Sequence, residues 1–235
     1  MKNLFIASTS TVHGKGYLEY ILPELSIFFR GVSEVLFIPY ARPGGITYDE
    51  YTAIAKKGFA NIDINLKGIH EFDNPIEAVK NAQGIFTGGG NTFELVNKLY
   101  ENDLIELIKR VVENGTPYFG TSAGSNITGV SMKTTNDMPI IYPPSFDTLN
   151  LINFNINPHY LDPDPNSKHM GETRETRIKE FHKFNDIPVL GLREGSWLRV
   201  EGKQVFLRGE LSARLFLKDE KAKELPTNSD VSFLM

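Results

Sequence analysis

The chain has 235 residues, 40% hydrophobic and 23% charged, with a formal net charge of −4 and a pI of about 5.8. That is the composition of an ordinary globular domain, and its acidic balance with scattered basic residues excludes the electrostatic footprint of a nucleic-acid-binding protein. The absence of cysteine excludes a disulfide framework, a thiolate nucleophile and a cysteine-based metal site, and it fits a reducing, cytoplasmic location.

The first apolar run, Leu4-Phe5-Ile6-Ala7, is too short for a signal peptide and reads as a strand. Helical periodicity follows over 16–30, then a strand over 35–39 and a second helix over 48–60. Alternation over 62–66 predicts a third strand, followed by a helix over 74–82 and a strand over 84–87. Residues 91–113 are helix-periodic: Asn91 stands three positions before Glu94 as a capping signal, Glu101 or Asn102 breaks the region, and Asn114-Gly115 ends it. A short strand over 117–119 comes next, and strands over 153–157 and 189–192 flank a helix over 171–184. The proline-rich stretch 139–165 reads as a long loop system around a strand, and long loops in compact domains tend to be functional. Residues 197–200 and 204–207, joined by Glu201-Gly202-Lys203, predict a β-hairpin, and residues 221–235 read as a loose tail or a final edge element. No apolar run approaches the ~20 residues of a membrane span. Strands alternating with helices predict an α/β fold: a mostly parallel sheet flanked by helices, one domain over 1–235, with a C-terminal hairpin.

The strand over 117–119 runs into Gly120-Thr121-Ser122-Ala123-Gly124, the G-x-S-x-G pattern of a nucleophile elbow. A serine on such a strand-to-helix turn presents its hydroxyl, and the N–H of Ala123 is placed to stabilise an oxyanion. In an open α/β sheet, ligands bind beyond the carboxyl ends of the strands. Gly88-Gly89-Gly90-Asn91 occupies that position after the strand over 84–87 and opens a helix. The N–H groups of Gly89 and Gly90 can supply the second half of an oxyanion hole. The strip lacks the G-x-G-x-x-G and G-x-x-x-x-G-K spacings of phosphate-binding loops, so no nucleotide cofactor is expected.

A serine hydroxyl needs a base, and the base an orienting carboxylate. His159 follows a predicted strand and is preferred by position, with His13 its main competitor. His70 lies between elements, His169 in a loop and His182 on a helix face that reads as exposed. Glu194 follows the next strand. The order Ser…His…Glu differs from that of the α/β-hydrolases and argues against their fold.

The segments Gly88-Gly89-Gly90-Asn91-Thr92-Phe93, Gly120-Thr121-Ser122-Ala123-Gly124-Ser125-Asn126, Thr134-Thr135-Asn136-Asp137-Met138-Pro139, Asn157-Pro158-His159-Tyr160, Gly171-Glu172-Thr173-Arg174 and Gly191-Leu192-Arg193-Glu194-Gly195 together resemble the serine peptidase family of peptidase E and cyanophycinase. The resemblance runs from the first strand to the C-terminal hairpin. It implies a fold similar to class I glutamine amidotransferases, with serine in place of their elbow cysteine. It implies Ser122 as nucleophile, His159 as base, Glu194 as orienting acid and Asp137 as a further active-site residue. It also implies a metal-independent cytoplasmic enzyme that hydrolyses dipeptides with an N-terminal aspartate.

Such a substrate needs a cation for its side-chain carboxylate and an anion for its ammonium. Arg174 is the first candidate for the former, with Arg42 and Arg193 as alternatives, because the guanidinium fork pairs with a carboxylate bidentately. Asp137 or Glu172 suits the ammonium, and Asn91 is a further substrate-binding candidate. Glu172 and Arg174 also read as a plain surface pair, and Asp162 and Asp164 as a rigid turn rather than a metal site. The expected partner is a small peptide, with no membrane and no nucleic acid, and the expected state is monomer or homodimer. The competing readings are a hydrolase of β-linked aspartyl peptides, a non-catalytic small-ligand domain and a flavodoxin-like nucleotide binder.

Overall fold

The computed structural model describes residues 1–164, 166, 168 and 171–235. In chain order it contains β1 (Asn3–Ala7), α1 (Leu22–Phe28), β2 (Glu34–Ile38), α2 (Tyr48–Ala60), β3 (Asn65–Gly68), α3 (Pro75–Lys80), β4 (Ile85–Thr87), α4 (Thr92–Glu101), α5 (Ile105–Glu113), β5 (Tyr118–Thr121) and α6 (Ala123–Asn126). There follow β6 (Asn155–Pro158), α7 (Arg174–Phe181), β7 (Val189–Leu192), β8 (Ser196–Glu201), β9 (Gln204–Gly209), β10 (Ala213–Phe216) and β11 (Lys223–Leu225).

The main sheet has the order β3-β2-β4-β5-β1-β8-β9. Its first five strands are parallel, and the predicted hairpin β8–β9 adds to β1 antiparallel. Alternate residues of the strands feed two cores, one on each face. Leu4, Ile6, Leu36, Ile38, Ile85 and Tyr118 pack with residues of α3, α4 and α5. Phe5, Val35, Phe37, Phe86 and Phe119 pack with α1 and α2. On this second face a row of rings crosses the sheet: Phe37–Phe86 at 4.9 Å, Phe86–Phe119 at 4.4 Å, Phe119–Phe5 at 5.5 Å and Phe5–Trp197 at 5.6 Å. Burial on both faces is why these strands read as continuous apolar runs.

A second sheet, β11-β10-β7-β6, stands beyond the first. Its β10 is absent from the sequence reading, because Ala-Arg-Leu-Phe is short and not alternating, yet Ala213, Leu215 and Phe216 are buried. The terminal segment supplies the edge strand β11 and is not loose: Val231 and Leu234 are buried, and the Val231 N–H donates to Val205 O at 2.8 Å.

Three boundaries differ from expectation. Helix α1 starts late, because Leu18 takes a left-handed φ of 59° and Pro23 sits in the first helical turn. The alternation at 62–66 belongs largely to a turn, with Asp63 at φ 56°, and β3 follows it. Helix α7 begins only after Thr173, whose hydroxyl accepts the Thr176 N–H.

Candidate active site

Ser122 sits where β5 turns into α6, at φ 53° and ψ −111°. This is the strained conformation of a strand-to-helix elbow, and packing over-determines it. A Cβ on Gly124 would lie 2.1 Å from Thr87 O, and one on Gly120 would lie 2.4 Å from Gly124 O. The two glycines therefore let α6 press against β4 and β5. The Ser122 N–H donates to Ala7 O at 3.2 Å, and the buried Ser125 hydroxyl lies 2.6 Å from the same oxygen.

The other two groups come from the second sheet. Strands β6 and β7 are parallel neighbours with Pro158 opposite Leu192. His159 and Glu194 thus emerge side by side from their carboxyl ends. His159 Nε2 is 2.9 Å from Ser122 Oγ, and its Nδ1 is 2.7 Å from Glu194 Oε1. His159 is itself left-handed, at φ 53°, and its N–H is held by Ser8 Oγ at 2.9 Å. The Ser8 hydroxyl donates onward to Leu192 O at 2.7 Å, so this residue at the end of β1 ties the two sheets together behind the histidine.

Gly89 lies against the serine: a Cβ there would be 2.8 Å from Ser122 Cβ and 3.4 Å from its Oγ. Gly88 donates to Ile38 O and Asn91 to Ala41 O, which anchors the strip at both ends. No acceptor among the described residues meets the N–H groups of Gly89, Gly90 or Ala123. Unpaired backbone donors grouped beside a serine hydroxyl form an arrangement that could receive an oxyanion.

The Asp137 carboxylate closes the far end of the strip. Its Oδ2 accepts from Thr92 N at 2.8 Å, Thr92 Oγ1 at 2.6 Å and Thr135 Oγ1 at 3.0 Å, at the N-terminus of α4. No donor among the described residues reaches Oδ1. Asn91 is the N-cap of α4: its Oδ1 accepts the Glu94 N–H, and its Nδ2 donates to Met138 O at 2.9 Å. Both ends of this side chain are thus engaged within the fold, where it fastens the Asp137 loop to the helix.

The three candidate arginines have different surroundings. Arg193 is fully used: Asp162 accepts its Nε and Nη2 at 2.9 Å each, Ser212 and Glu224 take Nη1, and the guanidinium lies over the Tyr160 ring. This removes Arg193 as a free cation and gives Asp162 a partner. Arg42 lies over the Tyr51 ring, 4.9 Å from its centroid. Arg174 has no ion-pair partner among the described residues. Burial lowers its pKa first, the like charge of Arg177 lowers it further, and Asp137 opposes both. Arg174 borders a cavity of about 390 Å³ with Leu161, Pro163, Glu172 and Arg177. Glu172 pairs with Arg177 at 3.7 Å rather than with Arg174.

Of the remaining histidines, His70 pairs with Asp49 at 2.9 Å. His182 is buried, not exposed, because it ends α7 with its ring against Ile187 O at 3.0 Å. His13 is exposed and has no hydrogen bond to the site among the described residues, and His169 lies outside those residues. Among the described residues no group of three or more His, Cys, Asp and Glu is arranged to hold a metal ion, and no helix is long and apolar enough to cross a membrane. Sequence reasoning missed Ser8, Thr92 and Thr135: lone hydroxyl residues carry no signal until their partners are known.

The model of peptidase family S51 matches residues 4–208. The chain belongs to that family. Among relatives of this S51 chain, peptidase E of Streptomyces coelicolor is 49% identical over 233 residues, which covers 99% of this chain and 95% of the relative. A Drosophila melanogaster protein named "Probable alpha-aspartyl dipeptidase" is 45% identical, covering 100% of this chain and 98% of its own. The crystal structure of a peptidase from an acI-B1 actinobacterium superposes with a TM-score of 0.71 over 99% of this chain and 97% of that one; at 17% identity it speaks for the fold alone.

Proposed function

We propose that this chain is a serine dipeptidase that removes an N-terminal aspartate from dipeptides through an aspartyl-enzyme. The observation that carries the reading is the continuous relay from Glu194 through His159 to Ser122 Oγ, beside unpaired backbone donors. The names of the relatives support the substrate class.

In this mechanism His159 Nε2 takes the Ser122 proton as Oγ attacks the aspartyl α-carbonyl. Glu194 fixes the tautomer with the proton on Nδ1 and stabilises the imidazolium. The N–H groups of Ala123, Gly89 and Gly90 receive the oxyanion, and losing one such donor typically costs about 3–4 kcal/mol in barrier. The C–N bond breaks as His159 returns its proton to the leaving amine. Water, deprotonated by His159, then cleaves the ester and restores the serine. Arg174 takes the side-chain carboxylate of the substrate, and Asp137 Oδ1 takes its ammonium.

The test is hydrolysis of Asp-Leu beside Asn-Leu, Glu-Leu, Leu-Asp and β-Asp-Leu, with Ser122→Ala as control. Cleavage of Asp-Leu far above the other four peptides, lost in the variant, is the expected result. Preference for β-Asp-Leu would move the enzyme to isopeptide chemistry, and no cleavage of any peptide would overturn the reading.

A further inference from the structure

The oxyanion donors of the glycine strip act only if the strip is held in one conformation. Gly89 and Gly90 have no side chains, and a loop of glycines has more backbone freedom than any other sequence. Hydrogen bonds anchor the strip at Gly88 and at Asn91, leaving the peptide between Gly89 and Gly90 to be oriented by something else. Tyr51, on α2, does this. It is buried, and its hydroxyl donates to Gly89 O at 3.2 Å. The C=O and N–H of a trans peptide point in opposite directions, so fixing Gly89 O fixes the direction of the Gly90 N–H.

The tyrosine is itself rigidly set. Phe37 packs edge-on against its ring at 5.0 Å and Tyr17 at 6.4 Å, while the Arg42 guanidinium covers a face at 4.9 Å. Its hydroxyl occupies space that any larger residue at position 88 would need, since a Cβ on Gly88 would lie 2.5 Å from it. Gly90 takes φ 146° and abuts Ala41 O, so the strip holds a conformation that glycine permits and something must select.

The geometry points to Tyr51 as a positioning residue of the oxyanion hole, acting through the Gly89–Gly90 peptide and not by touching substrate. This inference rests on the serine-hydrolase reading of the site. It predicts that deleting the hydroxyl lowers transition-state stabilisation while leaving ground-state binding intact.

The experiment is Tyr51→Phe, which keeps the ring and its packing. With Asp-Leu, kcat is expected to fall about tenfold, the worth of one well-placed hydrogen bond, with KM changed less than twofold. The affinity for the boronic-acid analogue of aspartate, which becomes tetrahedral and anionic on the serine, should fall by the same factor as kcat. The affinity for free aspartate should not change. Unaltered kcat and boronate affinity would overturn the inference. So would a parallel loss of aspartate affinity and thermal stability, which would make Tyr51 a packing residue only. The reaction of Ser122 with a fluorophosphonate separates this from the substrate assignment, because phosphonylation uses the same hole without a dipeptide. If the wild type labels but does not cleave Asp-Leu, the substrate reading fails, and the labelling rate of Tyr51→Phe still decides the role of the tyrosine.

Discussion

The main-chain N–H of His159 is held by the hydroxyl of Ser8, 151 residues away in sequence, at 2.9 Å. Ser8 is fully buried, and its own proton goes to Leu192 O, two residues before Glu194. One hydroxyl therefore ties the backbone at His159 to the strand that leads to Glu194 while holding His159 in a left-handed conformation. Ser8→Ala strands the part-buried His159 N–H and the buried Leu192 carbonyl. It is expected to lower stability by about 1–3 kcal/mol and to lower kcat more than it raises KM. Urea unfolding and Asp-Leu kinetics on the same preparation check both halves. Wild-type kcat in a destabilised variant would show that the histidine does not need this support.

Gly89 and Gly124 both flank the serine but fail differently when filled. The Cβ of Gly89→Ala projects to 2.8 Å from Ser122 Cβ, next to the reacting oxygen. That variant should fold and lose about 100-fold in kcat, as when one oxyanion donor is lost. The Cβ of Gly124→Ala meets the backbone of Thr87 at 2.1 Å, where nothing flexible can give way. Its expected outcome is a loss of about 3 kcal/mol or more in stability, from overpacking. Thermal melts beside kcat measurements separate the two.

Much of this arrangement is legible in the sequence because it is built from local signals. The elbow pattern, the glycines before α4 and the strands that end at His159 and Glu194 each carry a spacing with a mechanical meaning. The apolar runs of β1, β2 and β4 announce themselves because burial on both faces admits no polar alternation. What is not legible depends on contacts distant in the chain. Nothing about Ser8 distinguishes it from other serines until β1 lies beside β8 and near β7. Arg193 reads as a free cation until Asp162 and Glu224 surround it. The strand β10 is hidden because it is held by sheet neighbours on both sides rather than by its own pattern.

The Arg193 cluster also makes stability depend on pH. The hydrogen bond from Arg193 holds the Asp162 pKa below its ordinary value. Burial pushes Glu224 up, but hydrogen bonds from Arg193 and Ser212 outweigh it and leave its pKa lowered. A carboxylate with a lowered folded pKa contributes stability that is present above its unfolded value and lost as pH falls through the folded one. Both losses therefore fall below the ordinary carboxylate value of about 4. Asp162→Asn is expected to lower the melting temperature at pH 7, with a deficit that shrinks as the pH falls below about 4, so that the acid limb becomes shallower. Because Asp162 is half exposed, solvent screens the effect, and a high-salt repeat should shrink it. A deficit that does not shrink with falling pH would show that charge is not what Asp162 contributes.

Arg174 makes the sharpest claim about specificity. Its charge is destabilised by burial and by Arg177, and only Asp137 opposes this, so an arriving carboxylate meets a cation whose charge is not already neutralised by an ion pair among the described residues. Arg177 by contrast already pairs with Glu172. Arg174→Met keeps the stem of the side chain and deletes the charge. A charge-assisted hydrogen bond is worth about 1.5–3 kcal/mol, so kcat/KM for Asp-Leu should fall roughly 10- to 150-fold. Hydrolysis of Asn-Leu, which never had that pairing, should hardly change. The ratio of the two substrates is therefore the informative quantity, because a general loss of folding or of Ser122 reactivity lowers both together. Arg42→Met is the matched control: a collapse of the Asp-Leu to Asn-Leu ratio there, and not in Arg174→Met, would move the carboxylate site to Arg42.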